Sequence, residues 1–247
     1  MHELSLFGQV PLARLEQVLN ILAGLSAMQP RPLYEAHTIL APRPPTKDAN
    51  KPTSKRATRE DNKPTTYQHL IQPLQLSDFG SDPEARKPET EAEAQESLLR
   101  IRTSDVPEPE TKAFILRRVE EDTVPADGAQ KYHDAAKYRS VLTYYVEGQR
   151  LICKDVVLSL YRNLISKTGQ EAVEVGKAGN VPATADLELV DPSGGFVLEA
   201  TVRIEDRSKT VLMQRAMEEL GWLKAELKGV VELRVPERLS LDTRVRG

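Results

Sequence analysis

The chain of 247 residues has little cysteine, few aromatic residues and little net charge. Its single cysteine, Cys153, has no second thiol for an intrachain disulfide, which favours a reducing compartment, the nucleus or the cytosol. A formal net charge of −3 creates no overall field that attracts the phosphate backbone of a nucleic acid. We therefore expect no direct, sequence-specific nucleic-acid partner.

Long apolar runs are also missing. Nothing approaches the length of a membrane span, so we expect no membrane partner. The apolar stretch from Val18 to Met28 follows Glu3 and Glu16, and the lone Arg14 does not make the basic leader of a signal peptide. We therefore expect a soluble chain that is not secreted.

A hydrophobic fraction of 39% and an aromatic fraction of 5% indicate that part of the chain cannot bury itself. Residues 42–66 hold five prolines and seven Lys/Arg against three Asp/Glu, whereas residues 77–110 hold ten Asp/Glu against four Lys/Arg. Neither segment can offset its ordering entropy by burial. The sequence predicts one domain over residues 1–247, interrupted by disordered insertions at 42–66 and 77–110. Tyr67–Leu76, between them, is expected to dock as an edge element because it contains Pro73.

Two segments have the period of an amphipathic helix. The first follows Pro11, which suits the first helical position. A second helix is predicted over residues 208–228, ended by Gly229. The apolar faces consist of Leu12, Leu15, Val18, Leu19, Leu22 and Leu25 in the first helix, and of Leu212, Ala216, Leu220, Leu223 and Leu227 in the second.

Elsewhere the pattern alternates with a period of two, which is typical of strands. It is clearest over Phe196–Ile204, which we expect to pair with Asp186–Val190 through the turn Asp191–Gly195. A hairpin is predicted with its turn at Glu147–Gln149. The other predicted strands are Pro32–Ala41, Thr111–Glu121, Tyr138–Val146, Arg150–Leu160 and Val230–Val235. Many antiparallel strands with two helices fit an α+β domain whose sheet curls into a barrel, although periodicity alone does not show that the barrel closes.

Both ends of the chain resemble one known family. His2-Glu-Leu-Ser-Leu6, followed by Gln17-Val-Leu-Asn-Ile-Leu-Ala-Gly24, resembles the amino terminus of subunit 18 of the Mediator complex of RNA polymerase II transcription in its fungal form. Val235-Pro-Glu-Arg-Leu-Ser-Leu-Asp-Thr-Arg-Val245 is similar to the carboxy terminus of the same family. The resemblance implies a multistranded β-barrel with a central opening and outer helices, similar to the triphosphate-tunnel fold.

The resemblance also implies a function. Members of this family are nuclear, non-enzymatic subunits of the Mediator head module, a coactivator that relays regulatory signals to RNA polymerase II. It implies a heterodimer with Mediator subunit 20, binding of the carboxy-terminal helix of subunit 8, and contact with the rest of the head and the polymerase. For such contacts Tyr144, Tyr145 and Tyr161 are candidate anchors, although core packing explains them equally well.

The rival hypothesis is a metal-dependent triphosphate-tunnel phosphohydrolase with degenerate ligands. Such enzymes carry Glu-x-Glu-x-Lys on the first strand, whereas this chain has Glu3, Ser5 and Phe7 at the alternate positions. A solvated outer face, or a non-catalytic polar lumen, is the preferred interpretation of the remaining alternating charges. Those charges are Lys112, Arg118, Arg139, Lys154, Glu199, Arg203 and Glu205.

Other chemistry is not indicated. The four histidines lie in different segments, without the spacing of metal ligands, and Cys153 has no adjacent histidine to activate it. Gly176–Asn180 lacks the residues of a phosphate-binding loop. A nucleic-acid-binding barrel would need a basic strand face interleaved with aromatics, which we do not find. The sequence therefore predicts no catalytic, cofactor-binding or metal site and no cofactor.

Overall fold

The computed structural model describes residues 1–43, 66–80, 98–109, 113–124, 138–167 and 181–245. Within these ranges the longer elements are nine strands and two α-helices. The strands are β1 (His2–Val10), β2 (Arg31–Pro42), β3 (Gln68–Leu74), β4 (Leu99–Ser104), β5 (Ile115–Val124), β6 (Tyr138–Cys153), β7 (Val156–Ser166), β8 (Leu187–Leu189) and β9 (Phe196–Ile204). The helices are α1 (Leu15–Ser26) and α2 (Thr210–Glu226).

Eight of the strands form a closed antiparallel barrel. Their order is β6, β2, β3, β4, β5, β1, β9 and β7, and β7 pairs back onto β6 to close the ring. Closure removes the unpaired edges that an open sheet would expose. The predicted fold class, an antiparallel barrel with outer helices, is confirmed.

The main hydrophobic core lies between the outside of the barrel and the two helices. Because side chains alternate along a strand, Leu4 and Leu6 of β1 point outward with Leu198 of β9, against the helices. Val18 and Leu22 are the buried residues of α1, and α2 buries Ala216, Leu220 and Leu223. The alternate residues of the same strands therefore face the barrel interior.

Both helices occur where the period predicts them, with shorter bounds. Leu12–Arg14 form a 3₁₀ turn, so Leu12 is exposed and does not join the face of α1. Leu212, in the first turn of α2, is likewise exposed. At the other end of α2, Gly229 has φ +86°, the left-handed conformation that ends a helix.

The predicted hairpin turn at Glu147–Gln149 is wrong. β6 runs through these residues, and the turn is Lys154–Asp155, since Cys153 pairs with Val156. Gly148 is needed for a close approach between strands. A Cβ atom there would lie 2.1 Å from the Leu160 carbonyl oxygen and 2.7 Å from Tyr161 Cα.

We therefore expect Gly148→Ala to destabilise the barrel, because the clash is with main-chain atoms and forces β6 and β7 apart. The cost should be at least that of ordinary overpacking, about 1–3 kcal/mol. Gly221→Ala in α2 is the matched control: nothing lies within 4 Å of its added Cβ. It should stabilise the protein by about 0.5–1 kcal/mol. Urea unfolding of the two variants measures the difference, and equal stabilities would refute this role for Gly148.

Three other strand predictions need correction. β8 pairs with β7, at Leu164–Ser166, and not with β9. Both β8 and β9 thus lie along β7, which a local turn pattern does not reveal. The predicted strand Val230–Val235 is reduced to a single bridge between Arg234 and Phe7. β3 is not an edge, because it pairs with β2 and β4; Pro73 is tolerated since the β4 ladder ends at Ile71.

The predicted insertion at 77–110 also needs a new boundary. β4 lies inside it, because the alternation of Leu99 and Ile101 with Arg100 and Arg102 gives a strand with one apolar and one charged face. Leu99, Ile101 and Val124 of β5 form a small apolar cluster. Of the two predicted insertions, residues 44–65, 81–97 and 110 lie outside the described residues. Among the described helices, none has the length and apolar character needed to cross a membrane.

Candidate functional site

The barrel interior contains two adjoining cavities of about 450 and 320 Å³. They share a wall of six side chains. These are His37, Ile71, Arg102, Tyr144, Tyr161 and Glu199. The smaller cavity is rich in charge, whereas the larger is more apolar and reaches Phe7, Ile39 and the carboxy-terminal segment. The charged lumen is therefore the candidate functional site.

The strand registers bring the lumen charges together. Glu3 on β1 is directly opposite Arg117 on β5 and Arg203 on β9. Arg102 on β4 is opposite Glu121 on β5. Because the outward positions of these strands carry the apolar core, the inward positions are left for polar side chains.

Glu3 is the centre of the first charge cluster, and its side chain is only 1% exposed. Arg102 Nη2 donates to both carboxylate oxygens, at 2.6 and 2.8 Å, and Arg117 Nη2 donates to Oε1 at 2.8 Å. Arg203 Nε adds a bond of 3.2 Å to Oε2. Burial by itself would raise the pKa of Glu3, but the arginines outweigh it and lower the pKa to about 2.

Glu35 on β2 is the centre of the second cluster. Its Oε1 accepts from Arg100 Nη2 at 2.5 Å and from Arg150 Nη2 at 3.2 Å. His37 Nε2 lies 2.9 Å from the other oxygen. Burial opposes ionisation, yet the bond from His37 and the charge of Arg100 lower the pKa of Glu35 to about 2. Both carboxylates are thus held ionised.

Glu199 differs from these two, because its recorded partners are neutral. Its oxygens accept from the hydroxyls of Tyr161 and Thr201, each at 3.3 Å. Burial, and then the charge of Glu3, raise the pKa of Glu199. Burial also raises the pKa of Tyr144 to about 12 and lowers the pKa of His69 to about 4. The deep lumen therefore disfavours any charge without a partner.

One end of the lumen is lined by the chain's own carboxy-terminal segment. Ser240, Leu241, Asp242 and Thr243 line the larger cavity. Thr243 Oγ1 donates to the Ser104 carbonyl at 2.5 Å, and the amide of Tyr67 donates to the Thr243 carbonyl at 2.8 Å. At the other end, Arg150 and Arg203 are 38% and 35% exposed.

The sequence-predicted charges divide between the two sides of the barrel. Glu199 and Arg203 line the smaller cavity. Glu205 follows β9 and is exposed, as are Arg118 and Arg139. Lys154 lies over the Trp222 ring, 3.4 Å from its centroid. Lys112 lies outside the described residues.

Six charged residues of the lumen were not predicted from the sequence: Glu35, Arg100, Arg102, Arg117, Glu121 and Arg150. The alternation Leu99-Arg-Ile-Arg102 could have revealed two of them, but the acidic composition around it predicts an insertion.

The three tyrosines that the sequence offers as interface anchors do not lie on the outer surface. Tyr144 and Tyr161 line the lumen, and Tyr145 is buried in an outer apolar cluster with Ala36 and Leu164. They are therefore not surface anchors.

The arrangement is poorly suited to a divalent metal ion. The Glu3 carboxylate accepts bonds from three arginines, so metal coordination would have to displace them. Within the described ranges, no group of three or more His, Cys, Asp or Glu residues has the geometry of a metal site. What the lumen does provide is a network of buried ion pairs that ties six strands together: β1, β2, β4, β5, β6 and β9.

This network should make the protein sensitive to acid. A carboxyl group whose pKa is lowered by folding stabilises the fold above its unfolded pKa of 4.5, and this is lost as pH falls toward about 2. We expect the free energy of unfolding to fall between pH 4.5 and 2, with a limiting slope of about 1.4 kcal/mol per pH unit for each group. Denaturant unfolding across this range measures the slope. It should be smaller in Glu35→Gln; an unchanged slope would contradict the assignment.

Comparison with known proteins gives consistent matches. The family model described as Med18 protein matches residues 2–244. Mediator of RNA polymerase II transcription subunit 18 from Aspergillus niger is 29% identical over 272 residues, and that from Neosartorya fischeri is 30% identical over 273 residues. Both alignments cover 100% of this chain and of the relative. A chain in the structure of the Schizosaccharomyces pombe Mediator head module has the same fold, with a TM-score of 0.67, 19% identity and coverage of 95% of this chain and 98% of that one.

Proposed function

We propose, from the premise that this chain belongs to the Med18 family, that it is a structural subunit of the Mediator head module and not an enzyme. The observation that carries the proposal is the family match from residue 2 to residue 244. Curated relatives named as Mediator subunit 18 align over their whole length as well as that of this chain. On this basis the protein is one barrel domain that acts in RNA polymerase II transcription in the nucleus, as part of a coactivator.

The lumen supports the non-enzymatic part of this proposal. A tunnel hydrolase needs carboxylates that are free to bind metal, but here Glu3 and Glu35 are engaged by arginine. Ser5, where such an enzyme has a second carboxylate, donates or accepts a hydrogen bond with Thr201 at 3.0 Å. We assign no catalytic residue, cofactor or metal to this chain.

The partners that we propose are Mediator subunit 20 and the carboxy-terminal helix of subunit 8, and through them the rest of the head and the polymerase. These contacts would use the outside of the barrel, because the lumen is too narrow and too charged for a helix. The outside has apolar side chains available for this purpose. On α2 they are Val211, Leu212 and Met217, and elsewhere Leu12, Leu76, Val190 and Leu239 are exposed.

Coexpression tests the proposal. With subunit 20 from the same source, the chain should form a stoichiometric heterodimer that survives gel filtration and melts at a higher temperature than the chain alone, since binding to the folded form stabilises it. A peptide of the subunit 8 helix should then bind the pair in calorimetry. The matched control is the same peptide with its apolar anchors replaced by aspartate. Separation of the two subunits at micromolar concentration, with no heat from the peptide, would refute the proposed partners.

A further inference from the structure

We propose that the open end of the lumen binds one small oxyanion, of the chemical class of inorganic phosphate or sulfate. This inference goes beyond the proposed Mediator function and does not depend on it. The site is the cavity of about 320 Å³ whose wall includes Arg100, Arg102, Arg150 and Arg203. Three features of this cavity carry the inference: excess positive charge, unused hydrogen-bond donors and access from solvent.

The smaller cavity carries more positive than negative charge. Four arginines and three glutamates line it, and Arg117 and Glu121 contact these groups, which leaves one cation in excess even when every glutamate is ionised. The arginines are residues 100, 102, 117, 150 and 203, and the carboxylates are Glu3, Glu35, Glu121 and Glu199. Because low-dielectric walls strengthen the field inside a cleft, this excess should concentrate anions there.

The arginines also have donors to spare. A guanidinium group has five N–H donors in a fixed fork that fits the oxygens of phosphate. Arg150 uses Nε for Ser159 and Nη2 for Glu35. Arg203 uses Nε for Glu3, and its Nη1 lies 3.3 Å from Glu121 Oε2 in an ion pair. Within the described part of the chain, no hydrogen bond or ion pair engages Arg150 Nη1 or Arg203 Nη2. Both side chains line the cavity and are partly exposed, at 38% and 35%, so these N–H groups are available to a ligand that arrives from solvent.

Solvent reaches the cavity at Arg150 and Arg203. Arg150 and Arg203 are the most exposed of the five arginines, at 38% and 35%, while Arg117 lies deeper at 12%. An anion would thus meet Arg150 and Arg203 first. Glu3 and Glu35 lie behind them and already accept arginine bonds. Their residual repulsion, together with the small excess charge, favours a single small anion over a polyphosphate chain.

The test is a titration of the whole chain with potassium phosphate at constant ionic strength, with potassium chloride as the exchanged salt. Calorimetry should give saturable binding of one phosphate per chain. In nitrogen-15 spectra, the side-chain Nε–H signals of Arg150 and Arg203 should shift with the same dissociation constant. Arg150→Gln should weaken binding by at least about tenfold, the equivalent of one charge-assisted hydrogen bond. Arg118→Gln is the control, because Arg118 is exposed and pairs with Glu120.

Two results would overturn the inference. One is wild-type protein in which phosphate produces no saturable heat and no shift of the Arg150 and Arg203 signals. The other is equal phosphate affinity in Arg150→Gln and Arg118→Gln, which would mean that binding occurs elsewhere. If Arg150→Gln does not fold, Arg203→Gln takes its place, and the wild-type spectra still locate the anion without any variant.

Discussion

Replacing Glu3 with glutamine should destabilise the protein by about 3 kcal/mol, the lower end of the cost of breaking a buried ion pair from one side. Glutamine has nearly the same shape, so the loss is one of charge. Arg102, Arg117 and Arg203 would remain around a neutral amide that can accept through only one oxygen. The cost is set at the lower end because these arginines are 12–35% exposed, and water screens part of their repulsion.

Urea unfolding at pH 7 measures this effect. Glu120→Gln is the matched control, because Glu120 lies on β5, the neighbour of β1, but is exposed and pairs with the exposed Arg118. It should unfold at nearly the wild-type urea concentration. If Glu3→Gln and Glu120→Gln have the same midpoint, the Glu3 cluster does not hold the strands together, and the structural role of the lumen has to be abandoned.

Leu220→Ala should have a comparable effect from the other side of the barrel wall. Leu220 is 0% exposed, in the middle of α2 and in the core between that helix and the barrel. Removing its isobutyl group leaves a cavity that the strands cannot fill, because the closed hydrogen-bond ring prevents them from moving outward toward α2. The expected cost is about 3 kcal/mol, within the range for buried leucines.

The same helix supplies the control for this experiment. Val211 is 79% exposed, so Val211→Ala should change the unfolding midpoint very little. Both variants keep the charge and the length of α2, and only burial differs between them. Comparable destabilisation by the two substitutions in thermal and urea unfolding would show that α2 does not pack on the barrel through Leu220.

Local patterns predicted the elements that have one apolar face. The strand Phe196–Ile204 has the bounds that its alternation indicates. Each helix is located by leucines at three- and four-residue steps, and Gly229 marks the end of the second, where its positive φ is required. These features depend on neighbours in sequence, which is why the sequence contains enough information to find them.

Features set by long-range pairing were not accessible in this way. Glu147–Gln149 has the composition of a turn. A glycine lies there, inside β6, because the main chain of β7 occupies the space that a Cβ atom of residue 148 would need. β8 precedes a strong turn, yet it pairs with β7, which lies earlier in the chain, and not with β9 on the other side of that turn. Closure of the barrel was implied by the family resemblance, because periodicity cannot distinguish an open sheet from a closed one.

The lumen network likewise has parts that a local pattern reveals and parts that depend on long-range strand pairing. Glu199 and Arg203 were found from alternation on one strand, but their significance depends on Glu3, two hundred residues away in sequence from Arg203. Arg100 and Arg102 were assigned to a polar insertion, because the acidic residues around β4 concealed a short strand. A charged side chain on an alternating strand faces either solvent or lumen, and the choice is made by which strands lie beside it.

The most direct test of the Mediator assignment is affinity purification of the tagged full-length chain from nuclear extract of its own organism, followed by mass spectrometry. The account predicts that other Mediator subunits, with subunits 20 and 8 at near-stoichiometric amounts, are recovered with the chain and are lost from a parallel purification of an unrelated tagged protein. Recovery of the chain alone, or with a set of proteins that contains no Mediator subunit, would contradict it.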